Sequence, residues 1–264
     1  MLGAPMATKL YVLPGSHPCA VVEAALELKG IHYQRVDLLP IVPALAGPLL
    51  YGGRTVPGMR IGSERLVGSR PIMRRLDQLV AEPPLLPAPG DPAREQVLEA
   101  EHWGDEVFQA VPRRLIDAAF LRDPAAIESY GADAKLPLPS AWLRPALPLT
   151  ARAMAWKNGA SDSAARADLL ALPGLLERVD GWIAEGLLGG ERPNAADLQI
   201  GSTIRLLASI GDVAPLIAGR PSERLAAYFG PLAGRVPAGA LPAEWLSPVG
   251  GTPQAVNGAA SAGG

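Results

Sequence analysis

Ser16-His17-Pro18-Cys19 sets a hydroxyl, an imidazole and a thiol side by side, just before a stretch with helical patterning. The start of a helix carries four unpaired backbone N–H groups and the positive end of the helix dipole, so an anion is held there at low cost. For side chains of this kind the anion is a thiolate. An ordinary thiol, with a pKa of ~8.5, needs about 2.7 kcal/mol of help to be mostly ionised at pH 7. One hydrogen bond from a hydroxyl to a charge supplies roughly 1.5–3 kcal/mol and the helix terminus about 0.3–1 more. Ser16 is therefore a candidate donor to a bound thiolate, although a serine here also serves as a plain helix cap. Cys19 lies one turn into the helix, where its side chain should turn inward and behave as a small apolar group with an unshifted or raised pKa. His17 has no carboxylate near it in sequence to orient it as a general base.

Three elements must position these groups. Residues 9–13 are a short apolar run that reads as a strand, residues 19–29 a helix ending at Lys29-Gly30, and residues 31–38 a second strand. Strand, helix, strand over so short a span is a βαβ unit, with parallel strands and a right-handed crossover. A proline-rich connection over 39–53 follows. Residues 58–61 and 64–67 flank the turn residues Gly62-Ser63, which marks a hairpin, and Ser69 opens a helix over 71–80 with Pro71 in its first turn. Farther on, residues 92–121, 150–158, 163–187, 195–209 and 222–229 are patterned as helices separated by Pro or Gly.

Composition narrows the function classes. The 264 residues suffice for one large domain or two modest ones, and the formal net charge of −2 gives no footprint for nucleic acid or an anionic membrane. Cys19 is the single cysteine, which excludes an internal disulfide and a cysteine-cluster metal site. His32 and His102 have no metal-ligand spacing with each other or with Cys19, so no metal is expected. No apolar run approaches the ~20 residues that cross a bilayer, and residues 1–8 lack a signal-peptide pattern, so a cytoplasmic location is expected.

The order βαβ then ββα, with the Ser16 turn, Thr55-Val56-Pro57 and Gly68-Ser69-Arg70-Pro71-Ile72, resembles the cytosolic glutathione transferases. Asn194-Ala195-Ala196-Asp197 ahead of Leu198-Gln199-Ile200 matches the capping box of that family's helical domain. The resemblance covers about residues 9–235. It implies a thioredoxin-like N-terminal domain over 9–81, a linker over 82–91 containing Pro83-Pro84, Pro87 and Pro89, and an all-helical domain over 92–249. Residues 1–8 and 250–264 are expected to be a flexible start and a disordered tail.

Counting back from Leu26-Glu27-Leu28-Lys29-Gly30-Ile31, Ser16 falls where the resemblance implies the catalytic serine of serine-type transferases, and where redox-active relatives keep a cysteine. The resemblance further implies a cis Val56-Pro57 bond, with the Val56 backbone pairing to a peptide-like thiol, and Ser69 receiving that thiol's γ-glutamyl carboxylate, with Arg70 beside it. Gly68 stands where most relatives carry Glu, so the partner of the ligand's α-amino group is missing; Arg70 and Arg54 are positive charges in its neighbourhood. Trp103, on the first helix of the helical domain, faces either the core or the cleft for the second substrate.

The implied activity is conjugation of glutathione, or another low-molecular-weight thiol, to an electrophilic apolar compound. Gly68 favours the alternative of a non-catalytic relative that binds an apolar ligand or a protein partner. A thiol-disulfide oxidoreductase is a third alternative, disfavoured by oxygen at Ser16. By analogy two copies of the chain pair, the N-terminal domain of each against the other's helices.

Overall fold

The computed structural model describes residues 8–136 and 140–248. The flexible start expected over 1–8 lies outside the described residues except for Thr8, which is the first residue of β1, and the tail expected over 250–264 lies outside them. β1 (Thr8–Val12) leads into α1 (His17–Leu28) and β2 (Gln34–Asp37), then two short helical turns, α2 (Val42–Leu45) and α3 (Gly47–Leu50). β3 (Gly58–Ile61), β4 (Glu64–Val67) and α4 (Ser69–Leu79) complete this part. The sheet order is β2-β1-β3-β4, with β1 and β2 parallel and the other pairs antiparallel. This is the mixed thioredoxin-like sheet that the βαβ-ββα order requires.

Several boundaries differ from the expectation, each for a local reason. α1 starts at His17 rather than 19 because Pro18 fits the first helical turn, where its missing N–H costs nothing. α4 likewise starts at Ser69, with Pro71 in its first turn. β2 is shorter than 31–38, since its ladder with β1 begins only at Gln34. The 39–53 connection is not plain loop: Pro43 and Pro48 each sit early in a turn of helix.

The helical part begins with α5 (Pro92–Trp103), capped by the Asp91 carboxylate on the Ala93 N–H at 2.8 Å. A π-type bulge over Gly104–Phe108 separates α5 from α6 (Ala110–Arg122), so the expected single helix over 92–121 is interrupted. Then come α7 (Ile127–Tyr130), α8 (Ser140–Leu143), α9 (Leu147–Asn158), α10 (Asp162–Ala184), α11 (Ala195–Ala208), α12 (Ala214–Ile217) and α13 (Ala243–Leu246). Residues 222–229, expected as a helix, fall largely within tighter 3-10 turns over Pro221–Tyr228.

α11 is the hub of the molecule. Every residue from Ala195 to Ile204 is buried, and the helix packs on α1, α5 and the 221–228 segment. Its start is the reciprocal cap read from sequence: the Asn194 side chain accepts from the Ala196 and Asp197 N–H groups, and Asp197 accepts from the Asn194 N–H at 2.9 Å. Lys29, buried at the end of α1, pairs with Asp77 at 2.6 Å and donates to the Val80 carbonyl at 2.7 Å, which fixes the ends of α1 and α4 together. No described helix is long and apolar enough to cross a membrane.

Candidate functional site

Strand register brings the candidate residues to one end of the sheet. Tyr11 of β1 pairs with Gly58 of β3, and Gly58 pairs with Val67 of β4. The loop leaving β1 carries Ser16, the chain entering β3 carries Val56-Pro57, and the chain leaving β4 carries Gly68-Ser69. The Gly68 N–H donates to the Pro57 carbonyl at 2.9 Å, tying the second and third of these together. The Val56-Pro57 bond is cis. Neither the N–H nor the C=O of Val56 has a hydrogen-bond partner among the described residues.

Ser16 is the N-cap residue of α1 with extended backbone (φ −72°, ψ 115°), yet its side chain makes no cap hydrogen bond. It is half-buried. The turn before it needs glycine twice over, because Gly15 has φ 74° and a Cβ there would stand 2.9 Å from the Tyr130 ring. Tyr130 in turn donates to or accepts from Ser209 at 2.7 Å, so the Ser16 loop rests on a ring fixed by α11's end.

Cys19 is 1% exposed, and burial pushes its thiol up to about 12, against the opposing pull of the Ser16 hydroxyl and the Leu13 backbone. Such a thiol is not a nucleophile at neutral pH. His17 is also buried, with its Nε2 lacking a partner among the described residues. Burial first, and then the Arg113 guanidinium, hold its pKa well below the ordinary value, so it is neutral. Trp103 lies in the core rather than on a cleft wall. Its ring stacks on Phe108 at 5.1 Å, meets Trp182 edge-on at 5.2 Å, and has the Arg178 guanidinium over it.

The Ser69 end is engaged by the protein itself. Ser69 is buried, and its hydroxyl donates to Gln199 Oε1 at 3.0 Å. The Gln199 amide points toward Asp105 Oδ1 at 3.4 Å; the same oxygen accepts from Gln109 at 2.8 Å, and Gln109 Oε1 accepts from Arg113 at 3.0 Å. This chain of polar groups crosses from α4 through α11 to the π-type bulge and α6. The bulge lies where Gly104 presses on α11, since a Cβ there would stand 2.9 Å from Ile200. Burial raises the Asp105 carboxyl above its ordinary range, with Arg70 as the main opposing charge.

Arg70 is likewise occupied. Its Nε lies 3.5 Å from Glu101, a fully buried carboxylate that also accepts from Arg74, and its Nη1 lies 3.2 Å from His102 Nδ1. Gly68 has φ 91°, a conformation that favours glycine, so a glutamate at this position would be strained on this backbone. Arg54 is exposed on the loop before Val56. Among the described residues no group of three or more His, Cys, Asp or Glu could hold a metal ion.

Gln199, Glu101 and Asp105 organise this end of the site, and none was singled out from sequence as a partner of Ser69 or Arg70. Gln199 left a signal: it is a polar residue on a helix whose neighbours Leu198 and Ile200 are apolar. Its partner lies 130 positions away, which no local pattern reveals.

Residues 10–84 match the family model described as the glutathione S-transferase N-terminal domain. No curated protein sequence matches the chain. Among solved structures the chain is similar to a glutathione S-transferase III in apo form, at 22% identity and TM-score 0.55, covering 84% of this chain and 89% of that one. It is also similar to a theta class glutathione S-transferase from Xanthomonas axonopodis pv. citri with glutathione bound, at 18% identity and TM-score 0.53, covering 84% and 90%. FzlA from C. crescentus is similar at 14% identity and TM-score 0.52, covering 84% and 85%. The fold is thus that of the glutathione transferases: a thioredoxin-like N-terminal part followed by a mostly helical one.

Proposed function

We propose that the chain is a serine-type, glutathione-transferase-like enzyme of the cytoplasm, which activates a low-molecular-weight thiol for attack on an electrophilic apolar compound. Ser16 donates to the thiolate and keeps its proton; the sulfur forms a bond to the electrophilic carbon as the leaving group departs with its electron pair. The backbone of Val56, turned by Pro57, pairs with the peptide part of the thiol. In this reading residues 9–81 form the thiol-binding domain, 82–91 the linker and 92–249 the domain that lines the second-substrate cleft.

The observation that carries the reading is Ser16 itself: a half-buried hydroxyl at the head of α1, not spent on the helix cap, at the same end of the sheet as the Val56 backbone, which has no partner among the described residues. The γ-glutamyl end is a different matter. With Ser69 hydrogen-bonded to Gln199, Arg70 ion-paired with Glu101 and no carboxylate at Gly68, the ligand is gripped through its cysteinyl part, and glutathione or a thiol with another far end both fit that requirement.

The same Ser69–Gln199 bond favours a second reading, a non-catalytic relative binding an apolar ligand or a protein partner through this cleft. A thiol-disulfide oxidoreductase finds no support, since Cys19 is buried with a thiol pushed to about 12. Retention on immobilised glutathione, followed by conjugation of a chromogenic electrophile, separates the first two. The proposed enzyme conjugates, and Ser16→Ala lowers kcat/KM roughly 10- to 150-fold, the value of one charge-assisted hydrogen bond, without changing thermal stability. A chain that binds but does not conjugate, or a variant as active as the parent, contradicts the role of Ser16.

A further inference from the structure

Arg205, near the end of α11, has no ion-pair partner among the described residues, and its Nε is buried without a hydrogen bond there. Burial holds its guanidinium below the ordinary arginine pKa, whereas Arg114, gripped by Asp168 through two hydrogen bonds of 2.6 Å, is raised. The contrast marks Arg205 as a cation whose burial its neighbours do not compensate. The carboxylate that acts on it, Glu23 of α1, is paired with Arg35 at 2.9 Å. Arg235 is exposed, and its guanidinium too forms no ion pair among the described residues.

Both arginines line one hollow of about 290 Å³, between the end of α11, the 221–228 segment and the chain at 232–235. Its wall also includes Ala208, Ala226, Leu232 and Ala233, and no described Asp or Glu. Two unmatched guanidinium forks beside small apolar side chains suit an anion that carries an apolar body. At roughly 30 Å³ for each water-sized group, the space holds about ten heavy atoms. We propose that this hollow binds a small organic carboxylate, its oxygens on Arg205 and Arg235 and its apolar body against Ala208, Ala226 and Leu232.

The hollow neighbours the thiol site without sharing its residues. Arg205 approaches α1 at Glu23, whereas the π-type bulge and α6 meet α1 at His17, through Gln109 and Arg113. Gly234, in the wall of the hollow, and Gly15, just before Ser16, rest on the same ring, since a Cβ on either would collide with Tyr130. The carboxylate site therefore stands or falls independently of the role of Ser16.

Calorimetric titration of the purified full chain with benzoate, with its neutral isostere benzamide and with inorganic phosphate tests it. Benzoate is expected to saturate one site with a Kd on the order of 0.1–1 mM, and benzamide and phosphate to bind at least roughly tenfold more weakly, the first lacking the charge and the second the apolar body. Arg205→Gln and Arg235→Gln each weaken benzoate roughly tenfold or more, whereas Arg166→Gln, exposed on α10, leaves it unchanged. If Arg205→Gln misfolds, Arg235→Gln decides, since that side chain is exposed. No saturable benzoate binding, equal binding of benzamide or of phosphate, or benzoate affinity unchanged in Arg235→Gln overturns the proposal.

Discussion

α1 and α4 both begin with a serine at the same end of one sheet, but the two hydroxyls meet different surroundings. Ser69 is buried and donates to Gln199, and the residue after it is drawn to the buried carboxylate of Glu101. Ser16 is half-buried, and its hydroxyl faces no stronger partner than the Cys19 thiol, a weak hydrogen-bonding group. A helix start with an unspent hydroxyl can receive an anion; one whose hydroxyl is spent holds the fold together. Position in the thioredoxin-like frame makes the two serines look alike, and only their partners separate a ligand-facing group from an interior tie.

The strongest way to break this contrast is at Glu101. It is fully buried between Arg70 and Arg74, and Glu101→Ala leaves two guanidinium groups facing an apolar gap. A loss of about 2–4 kcal/mol in urea unfolding is expected, below the full cost of a buried pair because both arginines are partly exposed. A loss under about 0.5 kcal/mol would mean that the Ser69 end is no tie at all.

A pH scan keeps the interior from being mistaken for either end. Asp117 is fully buried, accepts from the Asn158 amide at 2.7 Å, and burial pushes its carboxyl up to about 6. Its native pKa lies above the ordinary ~3.9, so the folded state holds the proton more tightly. The stability tied to that proton is fully present below about pH 4 and lost as the pH rises through about 6. Asp117→Asn should therefore stabilise the protein by up to about 3 kcal/mol at pH 8, with the gain vanishing near pH 4. An equal effect at both pH values would contradict the assignment.

Ser69→Ala sharpens the comparison at smaller scale. It leaves Gln199 Oε1 buried without its donor, at a cost of about 1–3 kcal/mol, measured by denaturant midpoint. Ser16→Ala, which removes no cap bond, should stay within about 0.5 kcal/mol of the parent. The reverse ranking would exchange the roles of the two serines.

Much of this frame was legible in the chain. The βαβ-ββα order follows from period-two and helical patterning, and the Asn194–Asp197 reciprocal cap follows from residue types three apart. What sequence could not give was the committed state of Ser69 and Arg70. Their partners, Gln199 and Glu101, come from helices far along the chain, and a hydroxyl at a helix start reads identically whether or not a buried amide stands opposite. The π-type bulge was hidden for a similar reason, since the apolar stripe of 92–121 runs on through it. Cys19 was easier, because a cysteine one turn into a helix that covers a sheet is apolar by placement.

The central claim, that Ser16 is the group that holds a thiolate, is tested most directly by titrating glutathione bound to the protein through its ultraviolet thiolate absorbance, with the parent and with Ser16→Ala. The account predicts a bound thiol ionising about two pH units below the ordinary ~8.5 in the parent and returning most of the way in the variant. The same titration curve in both proteins would contradict it.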